Sequence, residues 1–496
     1  MCIRDRNIPK PEQEKLTGES SMLGIQHWFF EQTCSEQSHY NQSVLLTIDK
    51  SVPEKHIDQS IKALVENHDA LRFNYKQDPN FQNWIQTYGD QEAKLETVKI
   101  AEGEDIPTVI ADTCKIAQKS LDIRHGELLK VVRLKTPETE SRDRLLIVIH
   151  HLAIDGVSWR ILLDQLSSAL AALKKGEPID LGLKTTSYRA WADSLKKVAS
   201  LPLIENQLPF WQSTSQHYTP LPLSLSNNKF CKADETSITV NLAPQLTKAL
   251  LHKANKAYST QINDLLLSAL VKTIGEWADF QNLVIGLEGH GREAISPEID
   301  LSNTVGWFTS LFPVPFAYNN NMDLGTLIRS TKESLRVVPQ KGLGYSILRY
   351  LHPSPNVRER LAKQKWDIVF NYLGQLDSLM NNFDGLDKAS EESGPNIDDD
   401  FFFNHKLSLT SFISKGQLNI TWSFSEDQYG KDTILQLTAV FLKHLEDLIN
   451  HCVEQENQIY TPSDLGLEKD LSFEELDQVT NFVKNKPVGG QEILSF

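Results

Sequence analysis

The chain has 496 residues, which is too many for one compact core and suits two or three units of ordinary domain size. Hydrophobic residues make up 40% and charged residues 23%, a balance typical of a globular protein and not of a disordered one. The formal net charge of −15 argues against nucleic acid as a partner, because its phosphates would require a basic face.

The ends of the chain and its cysteines indicate a compartment. Residues 1–19 are polar and charged, without the apolar run of a signal peptide, and residues 1–6 show no helix or strand pattern, so we exclude them from the fold. The five cysteines are far apart and form no Cys-x-x-Cys pair, which suits a reducing compartment. No stretch approaches the roughly 20 apolar residues of a membrane helix. We therefore expect a cytoplasmic protein with no membrane partner.

The first half of the chain alternates between predicted strands and helices. A strand is expected at 44–48, and Pro53 leads into a helical pattern that runs to about residue 67. Residues 158–174 repeat apolar side chains at helical spacing. Further strands, of which the last two are apolar enough to be buried, are predicted at 72–75, 84–88, 129–134 and 145–150.

The second half repeats this mixture after a connecting region. A helix is predicted at 262–277, an acidic loop at 391–400, and strands at 236–240, 283–287, 366–370 and 418–424. The sequence therefore predicts two mixed α/β lobes of similar size. The expected divisions are an N-terminal segment or linker at 1–19, an N-terminal lobe at 20–180, a bridging region at 181–225, a C-terminal lobe at 226–460 and a C-terminal tail or linker at 461–496.

The most distinctive string is HHLAIDGVSW at residues 150–159. A buried strand delivers two histidines to its end, a tight turn follows, and Ser158 is placed to cap the next helix. Histidine carries protons near neutral pH, and the N–H groups of a helix N-terminus can stabilise an anion. The alternative is a pair of core histidines, which is the better interpretation of a lone histidine but not of the complete string.

Asp155, in the same string, could be a catalytic carboxylate, but its position favours a structural role. Short acidic residues in a tight turn after a strand usually satisfy backbone donors or a nearby arginine. Arg72, at the end of the string HDALR, is the candidate partner. Spacing alone would favour an ordinary surface arginine at that position.

A second string, EGHGRE at residues 288–293, directly follows the strand predicted at 283–287. Its two glycines permit sharp turns or the close approach of a ligand. Taken alone, the string is equally typical of a charged surface loop. Three further strings, each more typical of packing or turns when taken singly, lie at 304–309, 342–345 and 370–374.

Together these strings resemble the condensation superfamily of nonribosomal peptide synthetases, and its epimerization branch in particular, over residues 20–465. The His-His-x-x-x-Asp-Gly string is common to the superfamily. Features that resemble the epimerization branch are Ser158-Trp159, the 288–293 loop, residues 303–309 and 370–374, and Asp264-Leu265-Leu266 with Ala269. The chain departs from the family pattern at Gly24, where proline is usual, which affects the local loop geometry and not the chemistry.

The resemblance implies an α/β fold of two chloramphenicol-acetyltransferase-like lobes that form a V-shaped pseudodimer with a central tunnel. It also implies a substrate tethered to the 4′-phosphopantetheine arm of a peptidyl carrier (thiolation) domain, neighbouring synthetase modules, and no metal or cofactor bound by the chain itself. By the same resemblance, His151 and Glu288 are the catalytic pair, and Asp155 and Arg72 form a structural pair. The residues expected to line the site are His150, Gly156, Ser158, Trp159, Asn371 and Tyr372.

The reaction expected of such an isomerase is reversible L-to-D inversion at Cα of an aminoacyl or peptidyl thioester in nonribosomal peptide biosynthesis. A proton must leave one face of a planar enolate and return to the other, which two groups on opposite faces achieve better than one. Condensation needs only an oriented amine and thioester, so Glu288 is the discriminating residue. Shielding from water would favour Glu288 as the base. A peptide-bond-forming condensation domain and a catalytically silent docking module of the same fold are the alternatives.

Overall fold

A computed structural model describes residues 11–80, 83–223, 225, 229–293, 295–376, 385–467 and 472–484. Within them the chain forms two α/β lobes, each built around one large mixed sheet. The two mixed lobes that the sequence predicts are therefore confirmed. Residues 1–6, which the sequence excluded from the fold, lie outside the described residues. Within the described ranges, no helix is long and apolar enough to cross a membrane.

The first part of the chain supplies seven strands and four helices to the N-terminal lobe within the described residues. The strands are β1 (Gly18–Ser20), β2 (Asn41–Asp49), β3 (Phe73–Gln77), β4 (Trp84–Tyr88), β5 (Leu95–Lys99), β6 (Leu129–Lys135) and β7 (Arg142–His150). The helices are α1 (Gly24–Glu31), α2 (Glu54–Asn67), α3 (Ile106–Gln118) and α4 (Gly156–Lys175).

Strand β7 lies inside the large sheet of this lobe, where β2 and β6 flank it as antiparallel neighbours. Its alternate residues enter two separate hydrophobic cores. Leu145 and Ile147 belong to the main core, whereas Leu146 and Val148 pack with helix α3 in a second, smaller core. A strand that is covered on both faces requires a continuous apolar sequence, which explains the run that precedes the two histidines.

Helices α5, α6 and α7 lie in the region predicted to bridge the lobes, and the C-terminal lobe follows. The helices from the bridge onward are α5 (Tyr188–Val198), α6 (Pro202–Glu205), α7 (Leu208–Thr214), α8 (Pro244–His252), α9 (Ile262–Ala278), α10 (Leu324–Arg336), α11 (Leu343–Ser346), α12 (Pro355–Ala362), α13 (Lys431–Glu454) and α14 (Phe473–Lys484). The strands are β8 (Phe230–Cys231), β9 (Glu235–Asn241), β10 (Asn282–Gly289), β11 (Ser310–Ala317), β12 (Ile368–Gln375), β13 (Leu386–Lys388), β14 (Phe402–Phe403), β15 (Leu407–Ser414) and β16 (Gln417–Ser425).

The six-stranded sheet of the C-terminal lobe has the order β11-β10-β12-β15-β16-β9. Strands β10 and β12 are parallel neighbours, with Leu287 opposite Phe370. Because parallel strands end at the same edge of a sheet, Glu288 and Asn371 emerge side by side. The segment expected to be a tail contains α14, in which Leu476 is buried and Asp477 forms an ion pair with Arg329.

Strand β13 crosses from the C-terminal half of the chain to the N-terminal lobe. It pairs with β2 in antiparallel register and completes a five-stranded sheet of order β13-β2-β7-β6-β5. The acidic segment that follows also stays on this lobe, because Glu391 forms an ion pair with Arg144 and the Asn396 carbonyl accepts from the Asn41 N–H. Residues 391–400 thus hold the two halves together.

Candidate active site

The turn after β7 is shaped by Asp155, which caps helix α4. Its carboxylate accepts a hydrogen bond from the Ser158 N–H at 2.7 Å. The prediction that Ser158 caps this helix, and that it lines the site, is wrong. Ser158 is fully buried, and its hydroxyl donates to the Gly306 carbonyl and accepts from the Gly306 N–H. An aspartate satisfies the orphan N–H groups at a helix start as well as a serine does.

His150 is a core histidine and not a residue that lines the site, which corrects a second expectation. It is 0% exposed. Its Nε2 contacts the Gln37 carbonyl at 2.8 Å, and its Nδ1 accepts from the Leu152 N–H. Burial lowers the pKa of His150 to about 3, so the ring stays neutral and fixes the turn.

His151 is partly exposed and lies in a cluster of three rings. The Tyr40 ring stacks on it at a centroid distance of 5.5 Å, and the Trp307 ring from the other lobe lies 4.1 Å away. Its Nδ1 contacts the Ile154 carbonyl at 2.8 Å, and its Nε2 contacts the Gln42 side-chain nitrogen at 2.8 Å. Burial lowers the pKa of His151, while its backbone hydrogen bonds and the charge of Asp155 act in the opposite direction.

Asp155 forms its ion pair with Arg292 and not with Arg72. The Arg292 guanidinium donates to both carboxylate oxygens, at 3.1 and 3.2 Å, and the Phe308 N–H donates to one of them. Arg292 and Phe308 belong to the C-terminal lobe, so this buried carboxylate joins the two lobes. The structural role predicted for Asp155 matches these contacts, but the predicted partner is wrong.

Arg72 is buried within the N-terminal lobe, where its charge is already neutralised. It forms an ion pair with Asp69, three residues earlier. Its other guanidinium N–H groups donate hydrogen bonds to the carbonyls of Val65, Leu16 and Gly89. With these partners Arg72 organises the chain around a short helical turn and is not an ordinary surface arginine.

Glu288 lies at the end of β10, where the Asn371 amide donates to its carboxylate at 2.6 Å. Burial raises the pKa of Glu288 to about 7. Its side chain is nevertheless exposed to solvent. Protein atoms thus surround the carboxyl group although part of it is open to solvent. The carboxylate is therefore available in both protonation states near neutral pH.

The structure ties His151 and Glu288 to the same region from different lobes. Along the chain, His151 is four residues from Asp155, and Glu288 is four residues from Arg292, the partner of Asp155 in the ion pair. A fully extended segment of four residues spans at most about 14 Å. Tyr40 stacks on His151, and burial together with the charge of Glu288 raises the pKa of Tyr40. That the two groups face one Cα from opposite sides of the tunnel stays a prediction.

The remaining predicted lining residues differ in their surroundings. Trp159 is nearly buried and donates to the Gln42 side chain at 2.8 Å, so it touches the network around His151. Gly156 is exposed, with open space where a side chain would begin. Tyr372 is half-buried against the main hydrophobic core, and its place in the site stays a prediction.

The sequence did not single out Tyr40 or Gln42. Tyr40 lies directly before β2 and Gln42 at its start, and both lie on one face because residues two apart in an extended chain point to the same side. The only sequence feature that could have indicated these two residues is a polar side chain at the point where an apolar strand begins. Trp307 lies inside the 304–309 string, which alone indicated packing.

Comparison with known proteins identifies the family. The sequence model of the condensation-domain family matches residues 17–469 of this chain. Among solved structures, the epimerization domain from the third module of tyrocidine synthetase B is 33% identical, with a TM-score of 0.82, over 90% of this chain and 99% of that one. The first condensation domain of the CDA synthetase shares the fold at 13% identity and a TM-score of 0.67, over 89% of this chain and 98% of that one.

The chain belongs to the condensation-domain family. The predicted fold class and the resemblance to the epimerization branch are thereby confirmed. Among curated relatives, Gramicidin S synthase 1 of Brevibacillus brevis is 35% identical over 493 residues, which cover 95% of this chain and 43% of that protein. Tyrocidine synthase 2 of Brevibacillus parabrevis is 34% identical over 480 residues, 96% of this chain and 13% of that protein. The chain thus spans less than half the length of these relatives.

Proposed function

We propose that this protein inverts the Cα stereocentre of an aminoacyl or peptidyl thioester in nonribosomal peptide biosynthesis. One observation carries the proposal. A carboxylate at the end of β10, whose pKa burial brings to about 7, and a partly buried histidine after β7 belong to different lobes, and both act on Tyr40: His151 stacks on its ring and the charge of Glu288 raises its pKa. These are the two proton-handling groups that inversion of a planar enolate requires.

The reaction consists of two balanced proton transfers. One group removes the Cα proton, and the electron pair of the C–H bond passes into the enolate of the thioester. The other group delivers a proton to the opposite face, and the electrons return to a C–H bond at Cα. Because the pKa of Glu288 lies near 7, this carboxyl group is present as base and as acid at neutral pH. In the reverse direction the two groups exchange roles.

The substrate would arrive on the 4′-phosphopantetheine arm of a carrier domain. The relatives are much longer synthases, of which this chain matches one part, and this supports delivery from a neighbouring domain. The contact with the carrier has to be transient, because the arm enters and leaves in each cycle. Small thioesters without the carrier should be poor substrates, because remote binding energy positions the reacting carbon.

The test uses a carrier domain loaded with a pure L-aminoacyl or pure D-aminoacyl arm in deuterated water. Wild type should convert either isomer toward a mixture and introduce deuterium at Cα. The variants Glu288→Gln and His151→Ala should each lose on the order of 10²–10⁴-fold in the inversion rate. Exposed Glu298, near Glu288 in sequence, provides the matched control Glu298→Gln, which should behave as wild type.

Three outcomes would overturn the proposal. If the protein joins a donor acyl group to an acceptor amine without exchange at Cα, it is a condensation enzyme. If it binds the loaded carrier and neither exchanges nor joins, it is a docking module. Full inversion activity in Glu288→Gln would remove Glu288 from the mechanism.

A further inference from the structure

A chain of three hydrogen bonds runs from Trp159 through Gln42 to His151 and ends at a backbone carbonyl. The Trp159 indole Nε1 contacts the Gln42 Oε1 at 2.8 Å. The Gln42 Nε2 contacts the His151 Nε2 at 2.8 Å. The His151 Nδ1 contacts the Ile154 carbonyl oxygen at 2.8 Å.

The chemistry of the two ends determines the direction of every bond in this chain. An indole nitrogen can only donate, so the Gln42 oxygen accepts and the Gln42 NH₂ group faces the imidazole. A carbonyl can only accept, so the His151 Nδ1 carries a hydrogen. The His151 Nε2 is therefore left as the acceptor for the Gln42 NH₂ group, and the ring is neutral.

A proton on Nε2 would place two donors opposite one another at 2.8 Å. The Gln42 amide thus stabilises the neutral ring and opposes the imidazolium form. We propose that Gln42 is a positioning residue that keeps His151 unprotonated at Nε2 in the substrate-free protein. The catalytic meaning of this inference rests on the proposed function, because a proton acceptor needs an unprotonated Nε2, whose lone pair the substrate proton can take in place of the Gln42 hydrogen bond.

The other charged and titratable groups near His151 do not keep its Nε2 atom unprotonated. Asp155 favours the imidazolium, but its charge is neutralised by Arg292. Tyr40 stacks through its ring, and Glu288 acts on the Tyr40 hydroxyl from the other lobe. Buried His150 is neutral, and burial sets its pKa at about 3. Among these neighbours, Gln42 is the group bonded to the His151 Nε2 atom.

A second histidine–glutamine contact in the same lobe shows the opposite polarity. The His68 Nε2 contacts the Gln165 Oε1, while the Gln165 nitrogen donates to the Leu181 carbonyl and to Asn303. There the histidine is the donor. The pair provides a matched control, because Gln165→Glu places a carboxylate beside a histidine away from the candidate active site.

The experiment is a pH titration of the ring nitrogens by ¹⁵N NMR, with the full chain labelled at histidine and the His151 signals assigned by their loss in His151→Gln. Wild type should show a protonated Nδ1 and an unprotonated Nε2. Gln42→Leu removes the donor and should raise the midpoint of the His151 titration. Gln42→Glu adds an acceptor with a negative charge and should raise the midpoint further, by about 1–3 pH units relative to wild type. In Gln165→Glu the His151 midpoint should not move.

The same order should appear in the acid limb of the kcat/KM profile for the direction of inversion in which His151 removes the Cα proton, because only neutral His151 can accept a proton. A general structural role would lower the rate at every pH without moving this limb. The inference is overturned if wild-type His151 carries its hydrogen on Nε2, or if its midpoint is the same in wild type and both Gln42 variants. The NMR arm needs no substrate, so it stands even if wild type shows no inversion and the proposed function fails.

Discussion

Replacing Asp155 by alanine tests whether the ion pair with Arg292 joins the two lobes at the active site. The Asp155 side chain is 6% exposed and that of Arg292 is 8% exposed. Removing one partner of such a buried pair costs about 3–5 kcal/mol in the free energy of unfolding. Asp155→Ala also leaves the Ser158 and Phe308 N–H groups without this acceptor. Because contributions that share partners do not add, we expect a total of about 4–5 kcal/mol.

Urea unfolding followed by circular dichroism measures this loss, and two variants separate its causes. Asp155→Asn keeps a good helix cap and removes the charge, so it isolates the ion pair. Asp143→Ala breaks the Arg133–Asp143 pair, whose side chains are 2% and 4% exposed and which lies within one lobe. The Asp143 variant should lose similar stability, yet its folded fraction should keep the activity of wild type.

The Asp155 variants should instead lose activity per folded molecule, because the turn that carries His151 and the strand end that carries Glu288 are no longer held together. A loss below about 1 kcal/mol in Asp155→Ala would refute the magnitude derived from burial. Full stability combined with inactivity would make Asp155 a chemical participant. Equal activity losses in the Asp143 variant would show that the link between the lobes is not the cause.

Two further predictions concern Glu288 and Gly24. The pKa of Glu288 is about 7 in the folded chain against a usual 4.5, so ionisation reduces stability as the pH rises from about 4.5 to 7. Glu288→Gln should therefore unfold at a higher temperature than wild type at pH 8 but not at pH 5, and an equal difference at both values would contradict the shift. A side chain at Gly24 would begin 2.0 Å from the Ser346 hydroxyl, so Gly24→Ala should cost about 1–3 kcal/mol in stability. Part of this loss should be recovered in the double variant with Ser346→Ala, because contacts with the Tyr350 ring and the Ser346 carbonyl remain, whereas additive losses in thermal unfolding would show that the crowding lies elsewhere.

Some elements with a clear period were predicted from the sequence, but β15, whose residues alternate between buried and partly buried, and the long helix α13 were not. The strand predicted at 84–88 agrees with β4, and the apolar run at 145–150 lies within β7. Strand β11 was missed because it contains Pro313 and Pro315. Strand β11 lies at the edge of its sheet, so one side of its backbone has no partner strand. Because the two prolines are two residues apart, the N–H group that each of them lacks belongs on the same side of the strand, and both are tolerated there.

The components of the site could be predicted, but their pairings could not. The strings that contain His151, Asp155, Glu288 and Arg292 are all visible in the sequence. Nothing in them shows that Asp155 contacts an arginine 137 residues away and not Arg72. Gln42 is even less visible, because its role depends on which atom of its amide faces His151, and that is decided by the Trp159 indole. Such choices follow from tertiary contacts, which spacing along the chain does not encode.

The crossing of β13 has a consequence for how the chain is made. Strand β2 has no partner on its outer side until β13 arrives, and hydrogen bonds at this edge, such as that between Ser43 and Ser393, join residues 350 apart. During synthesis the N-terminal lobe therefore emerges with an uncovered strand edge, to which any other extended segment can pair. A gene fragment that ends at the bridge would leave this edge open permanently, and we expect its product to aggregate unless the second half is supplied in the same cell.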